Sequence, residues 1–149
     1  MSDLQHDSLI VRTWHEITIN ALGSRASDIH IEPRALKTEV RLRVDGQLIK
    51  RGQYPINLHE RLITRIKILA RLDIAEKRLP QDGRLLIGHD FSYPNIDCRV
   101  SILPTLHGEK AVVRILPSCL EELALDQIGL LPGQLEIVRG AINQTNGLI

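Results

Sequence analysis

The sequence predicts a mixed α+β domain, on three observations. Apolar residues recur at helical spacing in some stretches, alternate with polar residues in others, and the alternating stretches are joined by short Gly, Pro and Asp turns that suit antiparallel pairing. With 149 residues, 43% of them hydrophobic and 25% charged, the chain holds enough apolar material for one well-buried core, or one domain with an appendage.

Ile10, Trp14, Ile17 or Thr18 and Ala21 mark one face of a helix over residues 9–22, opened by Asp7 or Ser8 and closed by Gly23. In residues 27–32, Ile29 and Ile31 alternate with Asp28, His30 and Glu32, as in a half-buried strand that Pro33 ends. Residues 39–44 send Val40, Leu42 and Val44 to one face and Glu39, Arg41 and Arg43 to the other. Asp45-Gly46 then supplies the positive φ values of a tight hairpin, which returns through residues 47–51. Asn57 followed by Glu60 resembles a capping box, and Leu58, Leu62, Ile66, Leu69 and Ala70 line one face of a helix reaching about Leu72. Arg61, Arg65, Lys67 and Arg71 fall on its other side, read as a solvated face. Pro80-Gln81-Asp82-Gly83 reads as a turn. Strands follow at residues 84–88, 96–103 and 109–116, the first two joined by a polar loop over 90–95 that contains Pro94. After Pro117 the composition shifts. Leu123, Leu125, Ile128, Leu130 and Leu131 crowd a connector, residues 134–141 read as helical and 143–147 break that helix, so a boundary divides 1–116 from 117–149. Gly147-Leu148-Ile149 resembles the start of a buried parallel strand, whose remainder is expected to follow.

No run approaches the length of apolar sequence needed to span a bilayer, and the first thirty residues carry no signal-peptide pattern, so a cytoplasmic location is expected. Cys98 and Cys119 show neither C-x-x-C spacing nor a disulfide framework and are expected to be free thiols. The net charge is only +1, but residues 34–84 hold 13 basic and 6 acidic side chains. That middle faces something anionic. One Phe, one Trp and two Tyr leave almost no platform for stacking bases, so phosphates suit it better than nucleic acid.

His30 and Glu32 form an H-x-E pair without the P-C-x-x-C that a zinc deaminase needs, and no metal site is expected. G-x-S-x-G, H-E-x-x-H and G-x-x-x-x-G-K-[ST] are all absent, so no catalytic residue is assigned. What remains is a set of arginines at outward strand positions: Arg41, Arg43, Arg84, Arg99 and Arg114. Pairing of the last two strands through residues 104–108 would bring Arg99 and Arg114 to one face. A guanidinium fork fits phosphate oxygens and keeps its proton, although solvated arginines on a charged sheet surface are the commoner case.

Four strings, in order, carry a resemblance: S-D-I-H-I-E-P at 27–33, V-R-L-R-V-D-G at 40–46, L-D-I-A-E-K-R-L-P-Q-D-G-R at 72–84 and R-V-S-I-L-P-T-L-H-G-E-K at 99–110. The chain thereby resembles the second N-terminal domain of type II secretion and type IV pilus assembly ATPases, the domain that precedes the P-loop core. The resemblance implies a PAS-like antiparallel sheet with packed helices over 1–116, then a linker and the first helix of a RecA-like domain over 117–149. It implies that Arg99 and Arg114, with Arg84 and Arg41 less securely placed, reach phosphates of ATP held mainly by the core. ATP and Mg²⁺ are expected only in the intact ATPase, since Walker A, Walker B, the catalytic glutamate and any tetracysteine zinc motif would lie beyond Ile149. The implied partners are the RecA-like core of the same protein, further copies in a homo-hexamer, and inner-membrane platform proteins, with the machine peripheral to the bacterial inner membrane. Two other classes make distinct predictions. A nucleic-acid module would bind with steep salt dependence and no need of ATP. A protein-interaction domain would bind its platform equally with or without nucleotide.

Overall fold

The computed structural model describes residues 2–88, 95–116 and 124–147. The loop around Pro94, the connector residues Pro117, Cys119 and Leu123, and the strand start at Leu148-Ile149 lie outside the described residues. The chain divides into two units, Met1–Ser118 and Cys119–Ile149.

The first unit opens with α1 (Ser2–Gly23), followed by β1 (Asp28–Pro33), β2 (Lys37–Val44), β3 (Gln47–Pro55), a 3₁₀ turn (Ile56–Leu58), α2 (His59–Leu69), β4 (Gln81–Ile87), β5 (Ile96–Thr105) and β6 (Gly108–Ile115). The strands form one six-stranded sheet in the order β3-β2-β1-β6-β5-β4, antiparallel at every pair. The expected α+β class is observed. Ile29, Ile31, Val40, Leu42, Leu85, Cys98, Val100, Ile102, Ala111 and Val113 all point to one face and are buried with Trp14, Ile17 and Ala21 of α1 and Leu62, Ile63 and Ile66 of α2. Both helices therefore cover the same face, and each large side chain buried there contributes ~1.5–3 kcal/mol. The opposite face carries no helix of this unit. Buried Cys98 sits in the core with its thiol pushed up to about 12, chiefly by burial, so it is an inert hydrophobe.

Asp45 and Gly46 take φ of 49° and 80°, the two left-handed residues that the β2–β3 hairpin needs. Elsewhere the local expectations require correction. α1 begins before the expected Asp7 or Ser8 cap. Asn57 forms no capping box; it lies in the 3₁₀ turn, and α2 starts at His59 without a side-chain cap. β3 runs past Arg51 to Pro55 because a register shift between Val40 and Arg41 absorbs one extra residue and inverts the alternation after it. Gln81, Asp82 and Gly83 belong to β4 and not to a turn. Gly83 is needed for close approach, since a Cβ there would lie 2.9 Å from Leu72 Cδ2 and 3.0 Å from the Ala70 carbonyl. Arg71, at φ 56°, lies beyond the end of α2.

The largest correction concerns Lys67, which is 1% exposed and not on a solvated face. Its Nζ donates to the Glu76 carbonyl at 2.7 Å and lies 2.6 Å from Oε1 of Glu109, an ion pair without hydrogen-bond alignment. Position 67 borders the stripe of Ile63, Ile66 and Ala70, and the buried carboxylate at the start of β6 draws the long side chain inward.

Beside it, buried His59 ties α2 to the sheet: its Nε2 lies 2.7 Å from the Glu109 carbonyl and its Nδ1 3.1 Å from Thr38 Oγ1. A carbonyl can only accept, so Nε2 carries the hydrogen and Nδ1 accepts from the threonine hydroxyl. Protonation would break that pattern, and burial holds the ring below the ordinary histidine value despite the Glu109 carbonyl and the nearby carboxylates. The unfolded chain therefore takes up the proton first. The His59 contribution should be complete above about pH 6.5 and be lost as pH falls through the lowered folded value. Thermal melts taken on either side of that range should show a smaller pH difference for His59→Gln than for the parent chain.

In the second unit, α3 (Pro132–Ile142) follows a 3₁₀ turn (Leu125–Gln127). Pro132 opens the helix, and the Gln134 side chain accepts from the Leu131 amide at 3.0 Å. No residue of α3 is buried.

Candidate functional site

Alternation along each strand decides what the sheet face without helices of the first unit presents. In β4, Leu85 and Ile87 point inward and Arg84 outward; in β5, Cys98 and Val100 point inward and Arg99 outward; in β6, Val113 points inward and Arg114 outward. Register then aligns the three arginines. Arg84 stands opposite Arg99, Arg99 opposite Arg114, Arg114 opposite Asp28, and Asp28 opposite Arg43. Arg84, Arg99 and Arg114 are all exposed.

Directly opposed like charges destabilise a sheet. Here that repulsion is relieved on one side only. Arg114 and Arg43 meet the Asp28 carboxylate at 3.0 and 3.4 Å, whereas Arg84 and Arg99 have no ion-pair partner among the described residues. The row therefore ends, toward β4, in two guanidiniums on stiff strand positions without ion-pair partners among the described residues. Such a surface attracts an anion with several oxygens, and guanidinium forks are suited to phosphate.

Arg41 stands apart from this row. It is one pleat further along β2, opposite His30, with Nη2 at 2.7 and 2.9 Å from the two oxygens of Glu32. Its side chain is 27% exposed. Arg34 also reaches Glu32, at 3.0 Å. Burial raises the Glu32 carboxyl, but Arg41, Arg34 and Lys110 outweigh it, so Glu32 stays below the usual carboxylate range. His30, between Asp28 and Glu32, is held below the ordinary histidine value by burial first, with Arg43 and Arg41 adding to that against the two carboxylates. The H-x-E pair is thus a neutral ring beside a carboxylate engaged by arginines, and no group of three or more metal-ligand side chains occurs among the described residues.

A cleft of about 360 Å³ opens on the helix side, lined among others by His59, Glu60, Ile63, Lys77, Pro104 and His107. Its polar groups are largely engaged within the protein: His59 as described, and Glu60 by Lys77. The arginine face carries two guanidiniums without ion-pair partners among the described residues, whereas Lys77, Glu60 and Glu109 of the cleft are all ion-paired, which makes the face the candidate site.

A family model described as Type II/IV secretion system protein matches residues 3–149. The chain belongs to this family. It is 42% identical over 147 residues to Type II secretion system protein HxcR of Pseudomonas aeruginosa, covering 99% of this chain and 31% of that relative. Type IV pilus assembly ATPase PilB of Acinetobacter baylyi is 40% identical over 146 residues, 98% of this chain and 25% of the relative. Type II secretion system protein E of Xanthomonas campestris pv. campestris is 38% identical over 151 residues, 100% of this chain and 26% of the relative. The chain thus spans between a quarter and a third of the length of these curated members of the secretion family. Among the described residues, no helix is long and apolar enough to cross a membrane.

Sequence reasoning singled out Arg84, Arg99 and Arg114, which the sheet brings into one row. It did not single out Asp28, whose role depends on a β1–β6 register that no local pattern encodes. The one available signal was parity, since Asp28 takes the outward positions of β1 together with His30 and Glu32.

Proposed function

We propose that this chain is the phosphate-facing domain of a type II secretion or type IV pilus assembly ATPase. The observation that carries the proposal is the Arg84–Arg99–Arg114 row, with two members lacking ion-pair partners among the described residues. In this reading residues 1–116 form a PAS-like domain, and 117–149 are a linker and the first helix of a RecA-like core.

ATP is held mainly by the P-loop core of the same protein, and Arg84, Arg99 and Arg114 reach its phosphates from this domain. Arg41, one pleat off the row and engaged by Glu32, is the least available member of the set. Asp28 and Glu32, the buried carboxylates on this face, already hold arginines, so Mg²⁺ would be bound by the core. Phosphoryl transfer depends more on positioning and charge stabilisation than on covalent chemistry, and an arginine supplied by a mobile neighbour is worth ~10³–10⁵ in turnover. ATP bridging two domains draws them together, and loss of the γ-phosphate releases them. In a cytoplasmic hexamer at an inner-membrane platform, that cycle becomes work on a pilin or secretion complex.

The arginines alone lack the backbone amide cradle that holds a triphosphate. The 149-residue chain should therefore hydrolyse no ATP and bind it only weakly in a calorimetric titration, while the full-length ATPase binds it specifically. Micromolar, specific ATP binding by the chain alone would place the nucleotide site within it and overturn the division of labour.

A further inference from the structure

The arginine row ends at an acid whose geometry is directional. Asp28 is 5% exposed, and its Oδ2 accepts from Ser27 Oγ at 2.8 Å while Oδ1 accepts from Arg114 Nε at 3.0 Å. Arg43 Nε stands 3.4 Å from Oδ2 on the other side. The carboxylate is therefore buried, oriented by a neighbouring hydroxyl and flanked by two guanidiniums. Burial pushes its pKa up, but the Ser27 and Arg114 bonds and the nearby cations outweigh that and keep it below the usual carboxylate range. Arg114 is different: its side chain is 67% exposed, and Nε is its one donor with a partner among the described residues.

We propose that Asp28 is a positioning residue, which grips Arg114 by Nε and leaves its two terminal amino groups facing outward as an end-on fork for a phosphate. The inference rests on the phosphate-contact reading of Arg114 given above. A long exposed side chain samples many rotamers, and one charge-assisted bond to a fixed, buried acceptor restricts it without consuming the outer edge of the guanidinium. Arg99 and Arg84 have no such anchor among the described residues. Asp28 thereby makes Arg114 the preset member of the row and leaves the other two to be ordered by the ligand.

Positioning and simple neutralisation predict opposite signs. A carboxylate that only cancels positive charge repels a phosphate, so its removal should tighten anion binding and raise activity. A carboxylate that aims a fork should lower activity when it is lost, even though the face becomes more positive.

The first test uses the 149-residue chain and arginine side-chain NMR. The Arg114 Nε–H should give a resolved, slowly exchanging signal that Asp28→Ala abolishes and Asp28→Asn partly keeps, with Arg99 and Arg84 averaged throughout. An Arg114 signal as averaged as that of Arg99 in the unsubstituted chain overturns the proposal. The second test is a double-mutant cycle on turnover of the full-length ATPase, with melting temperatures to confirm folding. Asp28→Ala should reduce kcat by on the order of 10-fold and have no further effect in an Arg114→Ala background. Asp28→Asn, which keeps the shape and one acceptor oxygen, should fall between. A loss that adds to that of Arg114→Ala, or a gain of activity, rules out positioning while leaving the phosphate reading intact. Arg114→Ala with unchanged turnover removes the phosphate reading of Arg114 and the inference with it.

Discussion

Replacing Lys67 with methionine should destabilise the domain by about 3–5 kcal/mol, because it leaves the Glu109 carboxylate buried and unpaired. The Glu76 carbonyl is not the main cost, since Gln81 Nε2 still donates to it at 3.0 Å. Removing both charges tests the cause. Lys67→Met with Glu109→Met should recover most of the loss and come within about 1 kcal/mol of the parent chain, as expected when an ion pair is exchanged for apolar volume. Chemical denaturation of the two variants would measure both effects. A single-variant cost under about 0.5 kcal/mol would return Lys67 to the solvated face that amphipathic spacing assigns it.

That contrast marks where the sequence can be read and where it cannot. Helix α2 is legible through Leu62, Ile66 and Ala70, because helical spacing reports which face meets the core. Lys67 is misassigned because spacing reports hydrophobicity and not the position of a distant carboxylate. Glu109 arrives beneath α2 only when β6 pairs with β1 and β5. The same physics separates the hairpins. Asp45-Gly46 is a local conformational requirement and is legible, whereas the extra residue in β3 and the close approach at Gly83 depend on neighbours across the sheet.

The candidate site divides in the same way. Outward parity selects Arg84, Arg99 and Arg114 strand by strand, and a β5–β6 hairpin suffices to expect the Arg99–Arg114 pair. The juncture at which Arg114 meets Asp28 joins strands far apart in sequence, so the anchored end of the row is visible only in the folded sheet. Arg41 shares the outward parity but lies one pleat away, where Glu32 engages it. Parity alone does not distinguish an engaged arginine from an unpaired one.

Arg99, midway along the row and unpaired among the described residues, separates arginines aimed at phosphate from diffuse positive charge. In the proposed full-length ATPase, Arg99→Ala should lower steady-state turnover by at least ~10-fold with the melting temperature unchanged, since on the proposed reading this exposed strand position serves a phosphate contact and not the core. Arg99→Lys should lie nearer to Ala than to the parent, because lysine keeps the charge but loses the fork. Exposed Arg61 on α2 serves as the control, where the alanine change should alter the activation free energy by less than about 0.5 kcal/mol. Aiming at phosphate predicts a large loss at Arg99, poor rescue by lysine and little change at Arg61. Equal losses at Arg99 and Arg61, or full rescue of Arg99 by lysine, would contradict it and leave general electrostatics as the role of these arginines.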